Sequence, residues 1–119
     1  MLRYDSALQL FERTATEPVR VGDVTVEPGQ RIAALLGAAN RDPAVFADAD
    51  TFRPDRDPNP HLAFGAGVHF CLGAPLARME LVESLGLLLR ELPGLDLAGT
   101  PEPRGTFVLR GFTSVPVGV

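Results

Sequence analysis

Lysine and tryptophan are missing from this chain of 119 residues, and cysteine occurs once. A single cysteine closes no internal disulfide, which excludes a small secreted scaffold held together by cross-links. Long hydrophobic runs are lacking as well. The longest, around Ile32–Ala39 and Leu85–Leu89, fall well short of the about 20 apolar residues that a membrane-spanning helix needs, so no membrane segment is expected. Basic residues are outnumbered, 11 against 15 acidic, for a net charge of -4. That balance disfavours a nucleic-acid partner, because phosphate binding asks for a net basic face. Met1 is followed at once by Leu2 and Arg3, without the basic stretch and apolar core of a secretory leader, and a cytoplasmic location is expected. What remains is an apolar fraction of 45%, too high for a disordered chain. The length is enough for one domain that buries about two thirds of its unfolded surface. All the cations are arginines, the side chain suited to fixed, two-pronged contacts with carboxylates.

The order of residue types sets out the organisation. Met1 to Phe11 has apolar residues but no capping residue before them, and reads as a helix tail or an extended approach to a strand. Pro18 to Val26 holds two alternating β-branched runs around Gly22-Asp23, a specific hairpin signal. Glu27-Pro28-Gly29-Gln30 makes a further turn, and Arg31 to Gly37 is expected to be a buried strand. Asp42-Pro43 has the form of a helix start, a capping carboxylate followed by proline at the first helical position. Asp48 to Pro60 is rich in Asp, Arg and Pro, with Phe52 as its apolar anchor, and predicts a long irregular segment. Pro75 opens the strongest helix. Leu76, Met79, Val82, Leu85, Leu89 and Leu92 recur at helical spacing, and Ala77, Leu81 and Leu88 widen the stripe, so burial on more than one side is expected. Pro93-Gly94 ends it, and Thr106 to Val117 reads as two strands around Arg110-Gly111-Phe112.

The chemistry concentrates between Phe64 and Gly73. Gly65, Gly67 and Gly73 permit positive φ and let a flat body approach the backbone. Cys71 ends this loop just before a helix N-terminus, where backbone amides and the helix dipole favour the thiolate. A thiolate there is a good soft ligand for iron or another thiophilic metal. Three other readings compete: a buried structural cysteine, a zinc site drawing on His61, His69 and Cys71, and a Cys–His nucleophile.

Phe64-x-x-Gly67-x-His69-x-Cys71-x-Gly73 resembles the heme-binding signature of the cytochrome P450 family, the heme-thiolate monooxygenases, and the likeness continues through Ala74-Pro75-Leu76-Ala77-Arg78-Met79-Glu80. It runs along the whole chain. Gly37 to Pro43 is similar to the segment before a small helix in soluble bacterial members, and Phe52 and Arg56 resemble residues of the irregular stretch before the heme loop. Arg3 falls at the arginine of the family's Glu-x-x-Arg motif. The resemblance implies an α+β piece, the C-terminal portion of the mainly-α cytochrome P450 fold. Residues 1–60 would form its hairpin and meander region, 61–73 the heme-binding loop, 74–92 the proximal helix and 93–119 a C-terminal hairpin.

Roles follow from the same resemblance. Cys71 would be the thiolate ligand of heme iron, pushing electron density onto the metal in favour of O–O cleavage. Gly67 and Gly73 would let the backbone curl beneath the porphyrin, with Gly65 and Ala77 also against the cofactor. Phe64 would pack beside the sulfur. His69 and Arg13 would meet the heme propionates; read without the resemblance, Arg13 is a solvated charge beside Glu12 and His69 a loop histidine capping backbone carbonyls. The family hydroxylates small organic substrates with O2 and electrons from a redox partner. A small hydrophobic substrate and a ferredoxin-type donor are therefore expected, with Arg78 near the point of electron entry. Leu8, Leu10, Phe11 and Arg110–Phe112 resemble substrate-facing segments. The motif's glutamate would lie before Met1, so Arg3 and Arg56 are expected to be solvated, and no residue is assigned to oxygen activation. The rival expectation is a truncated, non-catalytic remnant that does not retain heme.

Overall fold

The alternation around Gly22-Asp23 folds as the sequence requires. Strands β2 (Val19–Val21) and β3 (Val24–Val26) pair antiparallel, closed by Val21 opposite Val24 with Gly22 at φ +59°. That hairpin sits between β1 (Leu10–Thr14) and β4 (Arg31–Leu35), which pair in the register Leu10↔Leu35 to Thr14↔Arg31. The turn after β3 is closed by the Gln30 amide donating to the Glu27 carbonyl at 3.0 Å, with Gly29 at φ +84°. Pro28 presets the first turn position and only glycine takes the second without strain. β4 is a strand but not a buried one. It belongs to a two-stranded ribbon, and Ile32 alone is half-buried.

The computed structural model describes residues 1–119, which divide into two compact units: Met1–Ala63 with Phe107–Leu109, and Phe64–Thr106 with Arg110–Val119. In the first unit the opening segment is turns rather than helix, tied down where Leu8 bridges Leu109 and the Gln9 amide donates to the Val108 carbonyl at 2.9 Å. A single helical turn, α1 (Leu36–Ala39), follows β4 and ends at Asn40. The helix expected from Asp42-Pro43 is one capped turn. Asp42 Oδ1 accepts from the Ala44 amide at 2.8 Å and the Asp42 carbonyl from the Phe46 amide at 2.8 Å, but Asp48 then takes φ +50°. The cap is present; what is missing is an apolar repeat beyond Phe46 whose burial would propagate a helix. The irregular segment does follow, and Phe46 and Ala49 anchor it, both buried, whereas Phe52 is half exposed and meets Tyr4 edge-on at 5.4 Å.

The second unit carries the 18-residue helix α2 (Ala74–Glu91), with Pro75 in its first turn and Leu92 at its C-cap. Its Leu stripe is not buried: Leu76, Met79, Val82 and Leu89 are exposed, and Ala74 is the only buried residue of the helix. β5 (Asp96–Leu97) pairs with β8 (Val117–Gly118), and β6 (Glu102–Pro103) pairs with β7 (Phe112–Ser114) across a bulge. The C-terminal strands therefore take their partners from residues 96–103, and Thr106–Leu109 does not form the expected strand. No helix is long and apolar enough to cross a membrane.

Candidate functional site

Within the second unit, Phe64 to Gly73 forms a tight, backbone-bonded loop. The Cys71 amide donates to the Phe64 carbonyl at 2.9 Å, and a 3-10 turn over Gly67–His69 is closed by the Phe70 amide on the Gly67 carbonyl at 3.0 Å. Gly65 and Gly67 sit at φ +72° and +69°, a region costly to residues with a Cβ. Around Gly67 there is also open space, since a Cβ built there meets nothing within 4 Å. The loop enters α2 through the Ala74 amide on the Cys71 carbonyl at 3.1 Å and the Ala77 amide on the Gly73 carbonyl at 2.9 Å. Cys71 therefore lies immediately before a helix N-terminus.

Cys71 is a free, exposed thiol, which removes the reading of a buried structural cysteine. Its apolar neighbours Val68 and Leu72 are 98% and 97% exposed. Phe64 is half-buried; its ring lies edge-on to Phe70 at 6.3 Å and under the Arg78 guanidinium at 4.8 Å. His69 is exposed in the 3-10 turn, and Ala77 is half-buried in the first turn of α2. No group of three or more His, Cys, Asp or Glu side chains could hold a metal ion, so the zinc reading has no ligand set. A bare-backbone loop, one exposed sulfur and two exposed apolar side chains form a donor set that fits the heme implied by the loop's resemblance.

Of the expected site residues, this loop and the start of α2 gather Phe64, Gly65, Gly67, His69, Cys71, Gly73 and Ala77. Arg13 belongs to the first unit. It is exposed on β1, donates to the Glu12 carbonyl at 2.9 Å and lies 5.2 Å from the centre of the Phe11 ring. It borders a cleft of about 290 Å³ with Thr16, Val19, Val21 and Ile32.

Arg3 and Arg56, both expected to be solvated, depart from expectation. Arg3 is buried, not solvated. Its guanidinium donates to the carbonyls of Asn40 at 2.7 Å, Ala49 at 2.9 Å and Thr51 at 3.4 Å, and lies 4.9 Å from the Phe46 ring centre. Backbone oxygens and a ring face replace water. Burial, then the charges of Arg56 and Arg41, hold the Arg3 pKa below its ordinary value, with Asp50 opposing. Arg56 is half-buried and donates to Ala47 and Asp48 carbonyls at 2.8 and 3.1 Å, while its Nε is buried without a partner. Asn40 lies in the Gly37–Pro43 segment covered by the resemblance, which assigned it no role of its own. Fully buried, it donates from Nδ2 to Ser6 Oγ and accepts at Oδ1 from the Leu62 amide, both at 2.7 Å. Nothing in the local pattern marks it, because its partners are 22 and 34 residues away.

Together these features define a module in which a glycine loop presents one cysteine at the start of a long helix. A family model described as cytochrome P450 matches residues 1–102, and the chain belongs to the cytochrome P450 family. It is 44% identical over 117 residues to the biotin biosynthesis cytochrome P450 of Bacillus subtilis, a match covering 98% of this chain and 30% of that protein. To the mycinamicin IV hydroxylase/epoxidase of Micromonospora griseorubida it is 50% identical over 111 residues, covering 90% and 28%. Among solved structures, P450BioI in complex with an acyl carrier protein ligated to hexadec-9Z-enoic acid superimposes with a TM-score of 0.94 at 44% identity, over 98% of this chain and 30% of that one. The chain spans about 30% of the length of the curated relatives it matches.

Proposed function

We propose that this chain is the heme-binding, C-terminal part of a cytochrome P450 monooxygenase acting on small hydrophobic organic substrates, with electrons from a ferredoxin-type donor. The observation that carries the reading is the exposed Cys71 thiol at the entrance to α2, in a loop whose positive-φ glycines leave the backbone open on one side. Cys71 is the iron ligand. Gly65, Gly67 and Gly73 keep side chains out of the porphyrin's way, Val68 and Leu72 cover apolar ring surface, and amides of the loop moderate the sulfur's charge. Ala77, the small residue of the first turn of α2, leaves room for the macrocycle. Phe64 shields the sulfur from water. His69 holds a propionate; for Arg13 the same role rests on the family resemblance alone, its guanidinium having the forked geometry a carboxylate accepts. Bound heme would supply the oxygen chemistry; the residues of this chain bind it, orient it and exclude water from its sulfur side.

The full chain is titrated with hemin, reduced, and exposed to carbon monoxide. A thiolate-type Soret band is expected, and it disappears in Cys71→Ser. Hemin binding of equal strength and spectrum in Cys71→Ser would overturn the assignment.

A second reading, a chain that does not retain heme and has no activity of its own, is favoured by the exposure of Leu76, Met79, Val82 and Leu89 on α2. So much apolar surface in contact with water leaves little packing to hold a cofactor loop in place. Failure of the wild-type chain to retain hemin through gel filtration would support it.

A further inference from the structure

The cation of Arg78 has no partner at helical spacing. Its neighbours three and four residues away on α2 are Ala74, Pro75, Leu81 and Val82, none of them charged, so the ion pairs that usually settle a helix arginine are not available to it. Helical side chains lean back toward the N-terminus and cover the preceding turn. For Arg78 the preceding turn is the first turn of α2, which directly follows the cysteine loop, and the guanidinium lies 4.8 Å from the centre of the Phe64 ring. That is inside the range in which a ring face attracts a cation. Phe70 closes the ring's edge at 6.3 Å, and the carbonyl of Phe64 itself accepts the Cys71 amide at 2.9 Å.

We propose that Arg78 is a positioning residue for the cysteine loop, pinning the Phe64 ring through a cation–ring contact and thereby holding the Phe64–Cys71 backbone bond closed. It does not touch the sulfur. It acts through Phe64, whose ring it clamps from α2 while the same residue's carbonyl fixes the amide of Cys71. The helix and the loop are thus joined by one charge–ring contact in addition to the backbone bonds at Ala74 and Ala77. The relevance of this clamp to a heme thiolate rests on the function proposed above, but the clamp itself is a property of the chain without cofactor.

Amide hydrogen exchange read by NMR on the full chain tests it without heme. In Arg78→Gln the protection of the Cys71 amide is expected to fall roughly 2- to 5-fold, the size of an exposed cation–ring contact. The Leu92 amide, which donates to Leu88 at the far end of α2, is expected to keep its protection. Arg78→Lys, which keeps the charge but not the planar fork, is expected to recover part of the loss. In a Phe64→Leu background Arg78→Gln is expected to add nothing. An equal fall at Cys71 and Leu92 would mean that Arg78 merely stabilises the helix, and would overturn the proposal. So would an undiminished effect of Arg78→Gln in the Phe64→Leu background. If Arg78→Gln does not fold, the Arg78→Lys and Phe64→Leu single and double variants complete the same cycle. Hemin titration is read separately: a chain that shows the exchange pattern but binds no hemin supports the clamp and overturns only the heme reading.

Discussion

Arg3 donates to the carbonyl oxygen of Asn40 at 2.7 Å, and both residues are buried. An arginine in a protein interior calls for compensation, and here backbone oxygens supply most of it, with the Phe46 ring beneath. Three peptide carbonyls from two stretches of irregular chain converge on one guanidinium, so Arg3 does for the meander what a strand ladder does for a sheet.

Arg3→Met should therefore be costly. It strips donors from the buried carbonyls of Asn40 and Ala49 while relieving the repulsion from Arg56 and Arg41. The lost bonds win because each unsatisfied buried acceptor costs about 1–3 kcal/mol, and the net loss is expected to be about 2–4 kcal/mol by urea denaturation followed with far-UV circular dichroism. Arg3→Lys is expected to recover part of the loss, since one ammonium can serve the Asn40 and Ala49 carbonyls as Nη1 does but lacks the second nitrogen that reaches the Thr51 carbonyl. The pH sign is also fixed. Because Arg3 has a lowered pKa in the folded chain, the unfolded chain binds more protons, and stability from this group rises with pH only in the strongly alkaline range of arginine. The difference between wild type and Arg3→Met should stay flat from about pH 6 to 9. A slope there would mean that another titrating group depends on Arg3.

Asn40 extends the same network, and its two ends can be separated. Ser6→Ala leaves Asn40 Nδ2 without its acceptor, while Asn40→Ala also strands the Leu62 amide. The expected losses in urea titrations are about 1 kcal/mol for Ser6→Ala and about 2–3 kcal/mol for Asn40→Ala. The double variant should cost less than the sum of the two, because Ser6 and Asn40 share one bond, and its excess over Asn40→Ala reports the bond that Ser6 Oγ donates to the Leu2 carbonyl at 2.9 Å. Additive losses would show that the Ser6–Asn40 bond contributes nothing.

These networks mark the division between what the sequence made legible and what it did not. Gly22-Asp23, Pro28-Gly29 and Pro93-Gly94 were readable because turn and stop chemistry is decided by adjacent residues. The long helix was readable because its apolar spacing lies within one segment. Asp42-Pro43 misled, since a capping signal starts a helix only if later residues have an apolar face to bury, and Asp48 at positive φ ends the turn instead. Arg3 misled in the opposite sense. Its partners lie 37 to 48 residues away, and they are carbonyls, which no residue type advertises. The Leu stripe of α2 announced a buried helix, but a stripe states only which face is apolar, not whether this chain contains its cover. At the candidate site, the loop residues from Phe64 to Gly73 were legible as a contiguous motif, whereas the Arg78–Phe64 contact depends on how the helix leaves the loop.

Gly67 and Gly22 give a controlled comparison of two left-handed glycines. Both have open space where a Cβ would go, so substitution by alanine carries the strain of positive φ and little else. Each variant is expected to lose about 1–2 kcal/mol of local stability. Only Gly67→Ala is expected to weaken hemin binding, because only Gly67 lies in the cysteine loop. Matching dissociation constants for hemin in wild type, Gly22→Ala and Gly67→Ala would show that the loop's backbone conformation is irrelevant to the cofactor.

The last expectation concerns the helix surface. Val82 and Leu89 on α2 are 69% and 76% exposed, and they lie seven residues apart, two turns along one face. Each apolar side chain taken out of water contributes about 1.5–3 kcal/mol, so the full chain should self-associate with rising concentration in light-scattering measurements after gel filtration. Replacing both residues, Val82→Glu with Leu89→Gln, changes no residue of the cysteine loop and leaves intact the polar network of the first unit. It should lower the apparent mass toward that of a single chain and reduce the binding of an apolar dye. Helix content should change little, because glutamate and glutamine propagate a helix at least as well as valine does. An apparent mass that depends on concentration as strongly as before would place the association elsewhere, with the remaining exposed leucines of α2 and the strand edges of β5 to β8 as the next surfaces to alter.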